Sequence, residues 1–434
     1  MFKTLINAFK VEDIRKKLIY TFLMLIVIRI GSQLPVPGVN RDYFAAWFAA
    51  QNNGAFNFFD AFTGGSFSSM SLFALGVNPY ITSSIIVQLL TIAIPALEEM
   101  QKDGEDGKKK LQKITRYLTI VLALIEAVAM TIGFGNKGLL QEANFINGLG
   151  AVAALVAGSC FVMWIGERIT EKGIGNGISI VLLINIVSRM PDDFVALFHQ
   201  FMNGQPVVKA VIAAIIIVAV VLLTIVLVIF LQDGVRKIPV QYAKKMQGRK
   251  MVGGASTHIP LKVNTAGVIP VIFASSLMSF PSIIMMLLGK SSNGFVLNAL
   301  SQQNWCSLEK PGYSIGLLLY ILLVVFFAYF YTSITFNPLE IANNMKRQGG
   351  FVPGIRPGKP TSDYLAKILN YIIFIGAIGL IIVAVIPIFF NGVFGASVSF
   401  GGTSLIIVVG VVLETIKQIE AQMVNRHYKG FLND

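Results

Sequence analysis

Residues 210–231 read AVIAAIIIVAVVLLTIVLVIFL, 22 positions without a charge, and Gln232 then opens a basic stretch that runs to Asn264. About 20 apolar residues in a helix span the ~30 Å hydrocarbon core of a bilayer. No water is available there for backbone N–H and C=O groups, so the segment must satisfy them internally and is predicted to be a helix. Working outward, nine further apolar stretches cover Leu18–Leu34, Ser71–Ala96, Tyr117–Gly133, Leu149–Gly166, Gly177–Met190, Thr265–Gly289, Ile315–Phe336, Ile368–Phe390 and Thr403–Leu413. The segments between them alternate in basic charge. Assigning both termini and every second connection to one face gathers 28 of the 35 Lys and Arg there, leaving Arg29, Arg41, Lys137, Arg189, Lys209, Lys290 and Lys310. Lys and Arg are retained on the cytoplasmic side, so ten crossings with both termini cytoplasmic are predicted.

Composition agrees. With 55% hydrophobic and 13% charged residues in 434, the chain has too little polar surface for a soluble fold of this size. The strand alternation of a membrane barrel is not seen in these stretches. Lys10, Arg15, Lys16 and Lys17 before Leu18 imitate a secretory signal, but Arg29-Ile30-Gly31 follows where a cleavage site of small residues would stand. The segment reads as a retained first helix. Before it, Phe2, Leu5, Ile6, Phe9 and Ile14 recur at helical spacing, which predicts a helix lying on the cytoplasmic surface over residues 1–17. Cys160 falls in the fourth stretch and Cys306 in an outward loop, so no disulfide is expected. His199, His258 and His427 are scattered, and no metal or other cofactor is expected. The net charge of +13 suits anionic lipid heads and anionic macromolecules.

Two cytoplasmic connections, 232–264 and 337–367, are long and rich in Gly, Pro and basic residues. The first carries Arg236-Lys237, Lys244-Lys245 and Arg249-Lys250; the second carries Lys346-Arg347 and the turn-rich Pro353–Pro360. Membrane orientation explains the charge but not the length, because connections in compact proteins are usually far shorter. A docking platform for a cytoplasmic partner is expected. On the other side, Pro35–Met70 holds Phe56, Phe58, Phe59, Phe62 and Phe67 around Gly64-Gly65. A half-helix re-entering from outside and an aromatic helix at the interface both satisfy this pattern.

Gly173-Ile174-Gly175-Asn176-Gly177 lacks the Lys-Ser/Thr of a phosphate loop, and its glycines are expected to let the fourth and fifth helices pack closely. The second stretch carries Pro79, Thr82, Ser83, Ser84 and Gln88, and the seventh carries Pro270, Ser275, Ser276 and Pro281. Polar groups at membrane depth need partners, so these two helices are expected to face each other or water. Hydroxyl bonding back to the helix's own carbonyls would satisfy the serines equally, Gln88 less so. Glu126, in the third stretch, is costly at midplane and should face the interior. One acid is not a proton relay, which disfavours ion-coupled transport. Ser275 and Ser276 have no His along any membrane segment, so an enzyme is not expected.

Long local strings carry a resemblance: Arg29-Ile30-Gly31 with Pro35-Val36-Pro37-Gly38, then Phe73–Ile81, Gly166–Ser179, Ser256–Asn264, Phe351–Gly358 and Phe400–Leu405. They resemble the SecY family, the central subunit of the bacterial protein-conducting channel. The resemblance implies an all-α integral membrane fold of two pseudo-symmetric inverted five-helix halves, residues 18–200 and 201–420, around an hourglass pore, with a cytoplasmic tail at 421–434. It implies a constricting ring of Val77, Ile81, Ile178, Leu182, Ile272 and Ile407. It makes residues 56–67 a re-entrant plug, with Phe56, Phe58, Phe59, Phe62, Gly64, Gly65 and Phe67 its characteristic side chains and turns. Gln88, Glu126, Ser275 and Ser276 would lie at a lateral gate, and Arg249, Lys250 and Arg356 would dock the SecA ATPase and the ribosome. SecE and SecG would be partner subunits, signal sequences and unfolded preproteins the clients, membrane lipids the surroundings, and the bacterial cytoplasmic membrane the location. An ion-coupled transporter of a small solute, also built from inverted repeats, is the alternative.

Overall fold

The structure, a computed structural model, describes residues 8–50, 60, 62–135, 144–201, 207–242, 245–247, 250–252, 256–287, 294–300, 304–306, 311–394 and 402–430. Each of the ten apolar stretches forms a helix. They are α1 (Glu12–Gly31), α3 (Asn78–Ala93), α5 (Glu105–Phe134), α6 (Phe145–Lys172), α7 (Gly177–Phe201), α8 (Val207–Asp233), α9 (Ile269–Leu287), α11 (Ile315–Thr335), α13 (Lys359–Phe394) and α14 (Gly402–Gly430). Shorter helices are α2 (Arg41–Ala50), α4 (Pro95–Lys102), α10 (Phe295–Leu300) and α12 (Pro338–Arg347). Among the described residues five helical segments are long and apolar enough on their own to cross a membrane, and the bent pair α3–α4 makes a sixth. This is a multi-pass membrane protein.

Helix boundaries follow local chemistry. The second stretch becomes helical only at Asn78, because residues 72–77 form turns with Gly76 at φ +57°, and Pro79 suits a first turn where its missing N–H is not needed. It ends at Ala93, where Pro95 denies the next turn its hydrogen bond and the chain bends by 108° into α4. α1 starts at Glu12, so the expected surface helix over 1–17 does not end at Lys17; its last turns enter the first apolar helix, and residues 1–7 lie outside the described residues. α7 passes through Pro191 to Phe201 rather than stopping at Met190.

The all-α expectation needs correction in the cytoplasmic connections. Residues 232–264 hold β1 (Val235–Tyr242), β2 (Lys245–Gln247), β3 (Lys250–Val252) and β4 (Ser256–Lys262), and β5 (Gly350–Phe351) belongs to the other long connection. β1 pairs antiparallel with β4 from Val235↔Lys262 to Gln241↔Ser256, and with β5 at Gln241↔Phe351 and Tyr242↔Gly350. The two basic loops therefore share one sheet, ordered β4-β1-β5. Ile238 and Val240 of β1 alternate inward and pack with Leu261, Met345, Leu365 and Ile368, seating the sheet on α12 and the start of α13. Pro239 is tolerated because β5 reaches β1 only at residues 241–242.

The apolar helices pack as two groups. α1 contacts α6 and α7, α3 contacts α5, α5 contacts α6, and α6 contacts α7. In the second group α8 contacts α13 and α14, α9 contacts α11, α11 contacts α13, and α13 contacts α14. Counted in order, the pairs of the first group recur in the second. Between the groups, α7 meets α14 and α5 meets α9.

Candidate functional site

Where the groups meet, the six aliphatic residues expected to form a ring gather in one apolar cluster. Val77, at the N-cap of α3, Leu182 of α7 and Ile407 of α14 are buried in it; Ile81, Ile178 and Ile272 pack against it half-buried. Four helices contribute, two from each group. Ile28 of α1 and Ile165 and Ile169 of α6 back the cluster from the first group. Every side chain named is a hydrocarbon, and none of them can coordinate an ion.

Close approach of α6 and α7 sets Ile178 and Leu182 in place. A Cβ on Gly177 would overlap the Gly166 carbonyl oxygen, so α7 can start against α6 only with glycine there. Thr170 Oγ1 accepts from Gly177 N at 2.9 Å, and Thr21 Oγ1 of α1 accepts from Ile174 N at 3.2 Å. These threonines satisfy backbone donors left over at the turn. In the same way Ser159 Oγ of α6 donates to the Gly76 carbonyl at 3.1 Å, bracing the turn that delivers Val77.

Directly beside the cluster lies the aromatic segment. Phe62 is buried in the same cluster as the six aliphatics, and Phe67 packs edge-on with Phe44 of α2 at 5.7 Å. Gly64 and Gly65 take φ +66° and +84°, which turn the chain back toward Met70. Phe56, Phe58 and Phe59 lie outside the described residues. Sequence reasoning missed the polar contacts that seat this segment. Asp60 is fully buried, Arg189 Nη1 of α7 lies 2.6 Å from its Oδ2, and Ser68 N donates to its Oδ1 at 2.8 Å. The Arg189 contact is a close ionic approach without hydrogen-bond alignment. Asn185 Nδ2 donates to the Phe62 carbonyl at 3.0 Å. A signal was available: Asp60 is the only acid between Asp42 and Glu98, and Arg189 is the only Lys or Arg between Lys172 and Lys209.

The polar residues of α3 and α9 are placed as follows. Gln88 and Ser276 are half-buried, Ser275 is fully buried, and Ser83 Oγ is buried with no hydrogen-bond partner among the described residues. Ile85 of α3 packs against a cluster to which α9 contributes Val271, Phe273, Ala274 and Met278 together with residues of α8, α11, α13 and α14, and α9 also contacts α5, the neighbour of α3. Glu126 is half-buried on α5, one residue before buried Ala127 and with no ion pair among the described residues. A second missed pair fixes α5 to α6: Arg116 Nε donates to Glu167 Oε1 at 2.7 Å, and Gln112 Nε2 donates to the same oxygen at 3.2 Å.

At the cytoplasmic sheet, Arg249 lies outside the described residues, and Lys250 opens β3. Arg356 is exposed in a turn between Gly354 and Gly358, with no ion pair among the described residues, and its carbonyl accepts from Thr361 Oγ1 at 2.8 Å. Sharing one sheet brings the loop bearing Lys250 and the loop bearing Arg356 together. Both free cysteines, Cys160 and Cys306, are thiols.

Residues 71–416 match the family model for SecY, and that range contains all six waist residues. This chain belongs to the SecY family. Two relatives called protein translocase subunit SecY, from Halalkalibacterium halodurans and Bacillus subtilis, are 45% and 44% identical to it with both chains covered completely. Solved structures similar in fold include one described as a protein conducting channel, with a TM-score of 0.64 at 19% identity over 94% of this chain and 93% of that one. Another is Sec61 in a canine ribosome-channel complex, with a TM-score of 0.61 at 18% identity over 94% and 93%. SecY members are channel subunits, and membership excludes none of the geometry above.

Proposed function

We infer that this protein is the pore of a protein-translocation channel, passing unfolded preproteins across the bacterial cytoplasmic membrane and releasing apolar helices sideways into it. The gathering of Val77, Ile81, Ile178, Leu182, Ile272 and Ile407 from four helices, beside buried Phe62, carries the reading. A hydrocarbon waist excludes ions by refusing to wet, and it yields around any side chain because it offers no fixed geometry. Two related halves are supported by the recurrence of the same helix pairings in both groups, and ten crossings with cytoplasmic ends by the alternation of basic charge along the chain. Residues 56–67 act as the plug. The seam between α3 and α9, with Gln88, Ser275 and Ser276 along it and Glu126 on adjoining α5, is the lateral gate.

A signal sequence brings about 7–15 apolar residues to that seam. At roughly 0.3–0.6 kcal/mol each, they supply a few kcal/mol of preference for an open gate, which suffices to shift a two-state equilibrium. The channel performs no bond chemistry of its own. Energy comes from SecA or from a ribosome docked on the two long cytoplasmic connections, through Arg249, Lys250 and Arg356, with SecE and SecG as small partner subunits. A small-solute transporter would need polar groups where this waist is aliphatic.

Reconstitution into vesicles with SecA, ATP and a preprotein bearing a signal sequence tests the function. Protease-protected preprotein is the expected result. Its absence, with SecE and SecG present, would refute the reading.

A further inference from the structure

We propose that Asp60 and Arg189 are positioning residues that latch the plug shut, and that breaking this buried pair is a step in opening the channel. The inference rests on the plug reading above and adds to it which contact must be given up. Asp60 has no exposed surface, and the Arg189 side chain is 23% exposed. A carboxylate removed from water this completely is tolerated only if its charge is answered locally. The answer comes from two sources, Arg189 on α7 and the Ser68 amide within the plug itself. Only the first ties the plug to the wall.

The surroundings make the latch sensitive to position. Gly64 sits against Arg29 of α1 and the backbone of Asn185: a Cβ there would lie 2.8 Å from Arg29 Nη1 and 2.9 Å from the Asn185 Cα. Arg29 Nη1 and Arg189 Nε are buried without hydrogen-bond partners among the described residues. The seat thus holds the Arg189 guanidinium beside the buried carboxylate and the Arg29 guanidinium against Gly64, and withdrawal of the plug takes Asp60 away from Arg189. Phe62, two residues beyond Asp60 and held by Asn185 through its carbonyl, reaches the waist cluster. Moving Asp60 away from Arg189 therefore unseats an aromatic ring from the constriction.

The asymmetry of burial gives a distinctive prediction. When the plug leaves, both charges reach water, so pairing matters only in the closed state. Asp60→Asn removes the acid that half-buried Arg189 faces, Arg189→Gln leaves fully buried Asp60 without its cation, and each should raise the resting open probability about tenfold or more. The double variant Asp60→Asn/Arg189→Gln strands neither member of the pair, so its increase should fall well below the product of the two single increases.

The experiment measures ion conductance of the complete channel complex in planar bilayers, together with export of a preprotein carrying a defective signal sequence. Both single variants should conduct at rest and export that preprotein, and the double variant should return toward the parent in both. A purely structural role would lower the amount of folded channel without passing defective signals. Unchanged conductance in the singles, or a double variant equal to their product, overturns the latch. Deletion of residues 56–67 is run beside them. A leak on deletion with silent single variants sinks the latch alone, whereas a deletion without leak sinks the plug reading.

Discussion

Leu182→Asn tests the waist most directly, because the two side chains branch at the same carbon and differ little in size. Leu182 is 5% exposed in a cluster whose other ring members are all hydrocarbon. Burying leucine contributes about 1.5–3 kcal/mol, and burying an amide without partners costs about 1–3 kcal/mol. Both differences act on the closed waist and largely vanish when the open pore admits water. Allowing for partial hydration of the amide, the closed state loses about 3 kcal/mol relative to the open one, roughly two powers of ten in the equilibrium. A resting open fraction of about 0.1% would rise to the order of a tenth. Single-channel recording on the reconstituted complex should show frequent openings without a preprotein, while Leu182→Ile stays silent. Conductance at the parent level in Leu182→Asn, with the variant inserted and able to export, would refute the argument that an unwetted aliphatic waist makes the seal.

Three further outcomes are expected. Deletion of residues 56–67 should raise resting ion flux through proteoliposomes, measured with an entrapped fluorescent ion indicator. Arg356→Glu should impair ATP-driven export several-fold while membrane insertion and thermal stability stay at parental values, because the side chain is exposed and its neighbours are held through backbone contacts. Gly177→Ala places a methyl group on the Gly166 carbonyl oxygen, which must push α7 off α6 at about 1–3 kcal/mol; the melting midpoint of the detergent-solubilised protein should fall by a few degrees.

What could be read from the chain follows from the range of the interactions involved. The ten apolar helices were legible because a bilayer demands length and apolarity of each segment separately. The break at Ala93 was foreshadowed by Pro95, but an unbroken apolar run to Ala96 concealed it. The sheet was not foreseen, although Ile238, Val240 and Tyr242 alternate with polar neighbours. Basic pairs dominate that stretch, and pairing with Gly350–Phe351 joins segments that nothing local connects. The waist residues look like ordinary core aliphatics, and only family resemblance distinguished them. Asp60 and Arg189 escaped for the same reason as the sheet. Asp60 is a lone charge in an apolar neighbourhood, Arg189 has Asp192 and Asp193 as local acids, and only the fold brings Asp60 and Arg189 within 2.6 Å.

One consequence concerns how mechanical work enters the molecule. α13 is a single helix of 36 residues, about 54 Å long, against a hydrocarbon core of ~30 Å. It begins three residues beyond exposed Arg356, and its first turns, through Leu365 and Ile368, are clamped into the apolar seat of the shared sheet. Its middle, at Leu380, Val383 and Ala384, is packed with α9 and α11. A rod held at both places cannot absorb a push by bending at a loop. A motor bearing on the sheet would therefore tilt α13 as a lever and drag along the helices that border the seam, so thrust and gating would share one moving part.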